Sequence, residues 1–236
     1  MSRFFVIFSL KGEIAMLGIH VVTSANRDLY QEELDQSHRL RHRIYIDELK
    51  WRGLTPRADG REYDQFDTAE AVYLLAIEDG VVWGGTRLVP TTEPHLLSDV
   101  FPHLAAQRGV PRGFDIAEWT RFYVTKERRE EHKASKVGST ILSSLVEYGL
   151  DEGLSSISVV LNTFWLPRFL GYRWKVEPLG LPVVHDDEWL IAVLISITPA
   201  ALTNIRETCG LSSRTALVRR GPQRPLLSGS LQKRVA

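Results

Sequence analysis

The sequence predicts an α/β (α+β) protein in which a single mixed sheet is flanked by helices. An antiparallel part of the sheet is indicated by two apolar runs that meet at Asp79-Gly80, a typical hairpin turn. Two long segments, near residues 26–50 and 136–152, carry apolar residues at helical spacing. A short apolar run at residues 156–161 follows the second of them and is typical of a buried strand.

The N-terminal elements begin with a strand near residues 19–23, just after Met16. Residues 1–15 are therefore predicted to be an extension that precedes the domain. The helix near 26–50 contains neither glycine nor proline. Its apolar stripe has Arg41 in the middle, and this arginine must either extend to the edge of the stripe or find a buried acid. The polar, carboxylate-rich segment 52–70 is predicted to be a loop.

The middle of the chain supplies the hairpin strands at 72–78 and 81–90 and a short helical piece near 97–104. The run Ile116–Val124 is rich in aromatic and β-branched residues and predicts a strand. An ideal strand sends Glu118 and Arg121 to opposite faces, because side chains alternate along it. To serve one site, the two residues need a β-bulge between them. The alternative is an acid that faces polar core groups and an arginine that faces solvent.

The C-terminal elements are predicted from shorter patterns. They are an amphipathic helix at 136–152, a strand at 156–161, a short helix at 164–170, and two strands at 172–177 and 189–197. Thr198-Pro199 is an N-cap followed by proline at the first helical position, so a terminal helix begins there. One domain is predicted over 16–207. Residues 208–236 contain basic residues, Gly, Pro and Ser, and predict a mobile basic tail.

The composition excludes several classes of function. Lys and Arg balance Asp and Glu at 29 each, which argues against a nucleic-acid-binding surface over the whole protein. The single cysteine excludes an internal disulfide framework and a multi-thiolate metal site. The same scarcity of cysteine is typical of the reducing cytoplasm, where the protein is expected to be located. No stretch approaches the length of a membrane-spanning helix, so a soluble protein without a membrane partner is expected. His38 and His42 have the spacing of metal ligands, but no third ligand is evident and no metal is predicted.

A set of motifs resembles the acyl-homoserine-lactone synthases, the autoinducer synthases of bacterial quorum sensing. The motifs are Arg41-His-Arg-Ile-Tyr45, Trp51, Glu62-Tyr-Asp64-Gln-Phe-Asp67, Gly85-Thr-Arg87-Leu-Val-Pro90-Thr91, Phe101 and Glu118-Trp-Thr-Arg121-Phe. No single motif is specific, but their order and spacing are. One departure is Tyr45, where the family usually has phenylalanine. The resemblance implies a fold related to the N-acyltransferases and two substrates, S-adenosylmethionine and an acyl thioester, with methylthioadenosine released and no cofactor.

The resemblance also implies roles for individual side chains. Glu118 is the candidate base that removes a proton from the substrate amine, and Arg121 belongs to the same catalytic strand. The expected adenosylmethionine site is formed by Arg41, Tyr45, Trp51, Asp64, Asp67, Arg87 and Phe101. In that site the carboxylates would hold the cationic groups, the arginines the substrate carboxylate, and the aromatic rings the adenine or sulfonium.

The acyl pocket is expected at Asn162, Thr163, Phe164 and Trp165. Two bulky rings there would shorten the pocket and favour a short, branched or flat acyl group, unless both rings belong to the ordinary core. The sequence resembles the branch of the family that uses acyl-coenzyme A (acyl-CoA), including isovaleryl and aryl donors. The alternatives are a synthase supplied by acyl-carrier protein, an N-acyltransferase that acts on another amine, and a module that binds these ligands without turnover.

Overall fold

The computed structural model describes residues 16–130 and 135–226 and contains the predicted mixed sheet flanked by helices. The strands are β1 (Gly18–Val22), β2 (Val72–Glu78), β3 (Val81–Pro90), β4 (Ile116–Val124), β5 (Ser156–Asn162), β6 (Val176–Pro178), β7 (Val183–His185), β8 (Glu188–Ser196) and β9 (Leu217–Val218). The helices are α1 (Gln31–Arg41), α2 (Leu96–Asp99), α3 (Lys136–Asp151), α4 (Leu166–Gly171) and α5 (Pro199–Cys209).

The sheet has the strand order β6-β8-β5-β4-β3-β2-β1-β9, and β7 pairs with β8. The hairpin β2–β3 turns at Asp79-Gly80, where both residues have positive φ, as predicted from the sequence. Strands β4 and β5 run parallel and are joined by α3, while the other neighbours of β4 and β5 are antiparallel. This places β4, which carries Glu118 and Arg121, near the centre of the sheet.

Helices cover both faces of the sheet because its central strands are apolar on both sides. Along β2, Leu74 and Ala76 pack in the core beneath α3, and Tyr73 and Leu75 pack beneath α1 on the other face. The predicted long helix near 26–50 is confirmed as one continuous helical segment. It has a 3-10 turn before α1 and a π-helical stretch, His42–Glu48, after it. Such π-helical stretches are frequent at functional sites.

Two C-terminal predictions need correction. The strand predicted at 172–177 begins only at Val176, because Tyr172 and Trp174 are buried in the core and Arg173 between them has positive φ. In the tail that was predicted to be mobile, residues 211–226 are packed against the domain. Leu217–Val218 pairs with β1, and Leu226 is buried. The proposed extension 1–15 and residues 227–236 lie outside the described residues.

No helix in the two described ranges is both long enough and apolar enough to cross a membrane.

Candidate active site

A cavity of about 1200 Å³ opens where strands β4 and β5 separate. The two strands pair only from Ile116 to Glu118 and from Ser156 to Ser158, and beyond these residues they lose their mutual hydrogen bonds. The cavity is lined by the separated parts, residues 119–124 and 159–162. It therefore exposes strand edges whose backbone groups are available to a ligand.

The predicted bulge in β4 is present and brings Arg121 to the face that carries Glu118. Gly85 of β3 pairs with Tyr123, but Arg87 pairs with Thr120, so β4 contains one extra residue. Arg121 occupies this bulge with a φ of 53°, a left-handed conformation that is costly for a residue with a Cβ. Trp119 points to the opposite face, where its indole donates a hydrogen bond to Thr86 Oγ1.

A buried ion cluster lies beside this bulge and consists of Arg41, Arg87, Arg121, Glu62, Asp64 and Asp67. Arg41 donates two parallel hydrogen bonds to Asp67, of 2.8 and 2.9 Å. Arg87 donates two to Asp64, of 2.6 and 2.8 Å. The three positive and three negative charges balance, which allows them to be buried together.

Arg121 connects the cluster to the cavity. It lies 2.9 Å from Glu62 Oε1 and 2.7 Å from Asp64 Oδ2, and both Arg121 and Asp64 line the cavity. Burial opposes the ionisation of Asp64, but Arg87 and Arg121 outweigh it and keep the pKa of this carboxyl below its ordinary value. Asp64 is therefore ionised at neutral pH and able to face a cationic ligand.

Arg41, Asp67 and Arg87 lie behind the wall of the cavity. Arg41 is 1% exposed, so of the two alternatives for this arginine the structure shows the one with buried acids. Asp67 also accepts a hydrogen bond from Tyr73, at 2.8 Å. Burial would raise the pKa of Asp67, but Arg41 and Arg87 hold it well below its usual range. None of the three side chains lines the cavity, so each supports the site from within.

Glu118 is fully buried, and backbone groups at the start of α2 hold its carboxylate. Its two oxygens accept hydrogen bonds from the backbone N–H groups of Leu96 and Leu97, at 2.7 and 2.6 Å. Burial raises the pKa of Glu118 to about 7, although the two N–H groups act in the opposite direction. Glu118 does not line the cavity, but Leu96 and Thr120 on either side of it do. A carboxyl with this pKa is suited to accept a proton near neutral pH.

Aromatic side chains form the wall beside Arg121. Trp51 stacks on Tyr45 with ring centroids 4.5 Å apart, and the Arg121 guanidinium lies 5.7 Å from the centre of the Tyr45 ring. The Tyr45 hydroxyl donates a 3.0 Å hydrogen bond to the carbonyl of Phe122 in β4, a contact that phenylalanine at this position would lack. Phe101 also lines the cavity and makes an edge contact with His185.

The part of the cavity beneath α3 is mainly apolar, although Ser139 of α3 also lines it. Leu142 of α3, Trp119 and Phe122 of β4, and Phe169 of α4 line it. Of the residues predicted for the acyl pocket, Asn162, Phe164 and Trp165 line the cavity and Thr163 does not.

The two predicted rings differ in their surroundings. Trp165 is half-buried and packs edge-on against Phe122, with centroids 5.6 Å apart. Phe164 is 66% exposed and stands at the rim.

Glu62 belongs to the cluster although it was not among the predicted site residues. It accepts hydrogen bonds from both Arg41 and Arg121, and its carboxylate thus joins the helical segment to β4. The one feature of the sequence that could have indicated Glu62 is its position two residues before Asp64, within the carboxylate-rich segment. The sequence of a loop does not show which of its side chains turn inward, so it does not distinguish Glu62 from its neighbours.

The chain is similar to known autoinducer synthases. A family model described as "Autoinducer synthase" matches residues 25–204. An isovaleryl-homoserine lactone synthase from Bradyrhizobium diazoefficiens is 40% identical over 195 residues, which are 83% of this chain and 87% of that protein.

Solved structures agree in fold. A CoA-dependent acyl-homoserine lactone synthase, BjaI, solved with S-adenosylmethionine and isopentyl-CoA, superimposes with a TM-score of 0.84 at 38% identity. The match covers 91% of this chain and 98% of BjaI. FeeM, an N-acyl amino acid synthase from uncultured soil microbes, matches with a TM-score of 0.53 at 14% identity, covering 79% of this chain and 93% of FeeM. The latter likeness concerns the fold alone.

Proposed function

This chain belongs to the autoinducer synthase family of acyltransferases, and from this premise we propose that it makes an acyl-homoserine lactone from S-adenosylmethionine and acyl-CoA. Methylthioadenosine and CoA are the other products. Adenosylmethionine is consumed as a substrate, and the reaction needs no cofactor. Both substrates are metabolites of the cytoplasm, where we place the enzyme.

The observation that carries this proposal is the continuity of one cavity between two chemically different walls. Asp64, Arg121 and the Tyr45–Trp51 stack line one side, and Leu142 and other apolar side chains line the other. Adenosylmethionine has cationic groups, a carboxylate and an adenine, which match the first side. An acyl chain matches the second. The gap between β4 and β5 brings the amine and the thioester together.

The reaction takes place in two steps. In the first, the amine of adenosylmethionine attacks the thioester carbon, so that a C–N bond forms, the C–S bond breaks and CoA leaves as its thiol. Glu118 accepts the proton of the amine, directly or through a water molecule, and returns it to the departing thiolate, which thereby becomes the CoA thiol. Backbone N–H groups at the free edge of β4 are suited to stabilise the oxyanion of the tetrahedral intermediate.

In the second step the substrate carboxylate attacks the carbon attached to the sulfonium. A C–O bond forms and closes the lactone, the C–S bond breaks, and neutral methylthioadenosine leaves. No proton moves, so positioning is the main requirement. We propose that Arg121 orients the carboxylate and that Asp64 holds the cationic end, because both side chains line the cavity. Arg41, Arg87, Glu62 and Asp67 act by fixing these two side chains.

The donor is proposed to be the CoA thioester of a short branched or aryl acid. The Bradyrhizobium relative makes an isovaleryl product, and BjaI is described as CoA-dependent. Trp165 narrows the apolar side of the cavity, together with Phe122 and Phe169. These rings leave less space for a long linear chain.

The proposal is tested by incubating the purified chain with adenosylmethionine and a panel of acyl thioesters. The panel contains isovaleryl-CoA, an aryl-CoA, a long linear acyl-CoA and the matching acyl-carrier proteins. Mass spectrometry is then used to detect lactones and methylthioadenosine. We expect both products with short branched or aryl acyl-CoA. If no thioester yields methylthioadenosine, the assignment is wrong.

The Asp64→Asn variant is expected to raise the KM for adenosylmethionine by about tenfold or more, because a charge-assisted contact with a cation is lost. The KM for acyl-CoA should change little. Steady-state kinetics with each substrate varied in turn measures both values. Asp59→Asn, in the same loop but exposed, is the matched control. An effect confined to the KM for acyl-CoA would contradict this placement of adenosylmethionine.

A further inference from the structure

Two exposed side chains, Phe164 and Arg168, lie at the rim of the cavity. Phe164 is 66% exposed and stacks with one face on Trp165, with centroids 5.6 Å apart. Large aromatic side chains are costly to leave in water, and this ring contributes little to the core. Its exposure also argues against the closed end of an acyl pocket, the position predicted for it from the sequence.

Arg168 of α4 also packs against Trp165. Its guanidinium carbon lies 4.8 Å from the centre of the Trp165 ring, and the side chain lines the cavity. No carboxylate of residues 16–130 or 135–226 lies within ion-pair distance of it. By contrast, the arginines Arg52, Arg57 and Arg129, which also line the cavity, each have an acidic partner. Lys50 lines the cavity as well and, among the described residues, shares with Arg168 the lack of an acidic partner.

The position of this pair relative to the acyl side is defined by Phe122. The Phe122 ring contacts Trp165 edge-on and lies 3.5 Å from where a Cβ on Gly138, at the start of α3, would stand. The rim at Phe164 and Arg168 therefore continues directly into the apolar side of the cavity beneath α3. A molecule that places its acyl group among Trp119, Phe122 and Leu142 would leave the cavity past these two side chains.

We propose that Phe164 and Arg168 bind the nucleotide end of the CoA donor, with adenine on the free face of Phe164 and a phosphate on Arg168. This proposal rests on the function proposed above and names the side chains that recognise its donor. A protein of zero net charge has no general attraction for a polyanion, so a local cation is needed. A guanidinium oriented by an aromatic ring presents its donors in the fixed geometry that phosphate accepts.

The proposed contacts would also let the enzyme distinguish acyl-CoA from an acyl-carrier protein as the donor. The arm of a carrier protein ends in one phosphate and has no adenine, so it offers nothing to stack on Phe164. Base stacking on an aromatic side chain and a charge-assisted phosphate contact each typically contribute about 5- to 150-fold in affinity, which corresponds to roughly 1–3 kcal/mol. A phosphate is present in both donors, so the stacking of adenine on Phe164 is the contribution that only CoA can make.

The test measures binding by calorimetry with CoA and with isovaleryl-pantetheine, which lacks the nucleotide. The full chain is used as wild type, Arg168→Gln, Phe164→Ala and Arg173→Gln. The last is the matched control, because Arg173 is an exposed arginine that follows α4 and does not line the cavity. Thermal unfolding confirms that each variant is folded. Because this readout needs no turnover, it distinguishes failure of this proposal from failure of lactone synthesis.

We expect Arg168→Gln and Phe164→Ala each to raise the Kd for CoA by about tenfold, with Arg173→Gln within twofold of wild type. None of the variants should change the Kd for isovaleryl-pantetheine. A Kd for CoA within twofold of wild type in both variants would overturn the proposal. So would an equal loss for both ligands, which would place the side chains at the acyl end. A loss in one variant alone would overturn the role assigned to the other side chain.

Discussion

Replacing Glu118 by glutamine is expected to lower kcat by about 10²–10⁴-fold, the usual contribution of a general base. Glutamine keeps the approximate shape of glutamate but cannot take the proton of the attacking amine. The loss should appear mainly in kcat, since Glu118 does not line the cavity and contributes little to substrate binding. Glu93→Gln, which changes an exposed carboxylate just before α2, is the control and should retain activity.

The pH dependence of the wild type checks the same role. A base must be deprotonated to act, and the pKa of Glu118 is raised by burial to about 7. The rate should therefore increase with pH through about 7, and this limb of the profile should be absent from Glu118→Gln. A variant with activity within a few-fold of wild type would remove Glu118 from the mechanism. Its remaining role would then be to fix α2 through Leu96 and Leu97.

Replacing Arg41 by methionine is expected to lower the free energy of unfolding by about 3–5 kcal/mol, as for other buried ion pairs that lose one partner. Methionine fills part of the volume but leaves Glu62 and Asp67 with fewer compensating charges inside the protein. Equilibrium unfolding in urea measures the change. Activity should fall as well, because Glu62 also holds Arg121.

Arg43→Met is the control for this prediction. Arg43 lies in the same helical segment and pairs with Glu48 and Glu127, but its side chain is 46% exposed. Exposed ion pairs contribute about 1 kcal/mol or less, so this variant should stay near wild type. Equal losses for the two variants would show that burial of the cluster is not what makes Arg41 important.

The sequence was sufficient to predict the elements with strong local signals. The bulge in β4 followed from the spacing of Glu118 and Arg121, since alternation along a strand would otherwise separate them. The packing of the C-terminal residues could not be predicted in this way. Residues 211–226 have the composition of a mobile tail, yet Arg219 and Arg224 form ion pairs with Asp151 and Glu70. Those partners are distant in sequence, and no local pattern indicates such pairing.

The sequence predicted which residues lie at or near the cavity better than it predicted which of them line it. Arg41, Asp67 and Arg87 were expected to contact the substrate, but they form a supporting layer behind Asp64 and Arg121. Which of several carboxylates in one loop faces inward depends on the arginines that α1 and β3 bring to it. This is a tertiary effect, and spacing along the loop does not encode it. The same reason explains the omission of Glu62.

The central claim is that this chain makes an acyl-homoserine lactone in two steps from adenosylmethionine and acyl-CoA. The stoichiometry of the products tests it most directly. Lactone, methylthioadenosine and free CoA thiol are quantified together as the purified chain converts adenosylmethionine and isovaleryl-CoA. The two-step reaction predicts that the three products appear in equal amounts. Release of CoA thiol without methylthioadenosine would contradict it, because the acyl group would then be passing to water or to another amine.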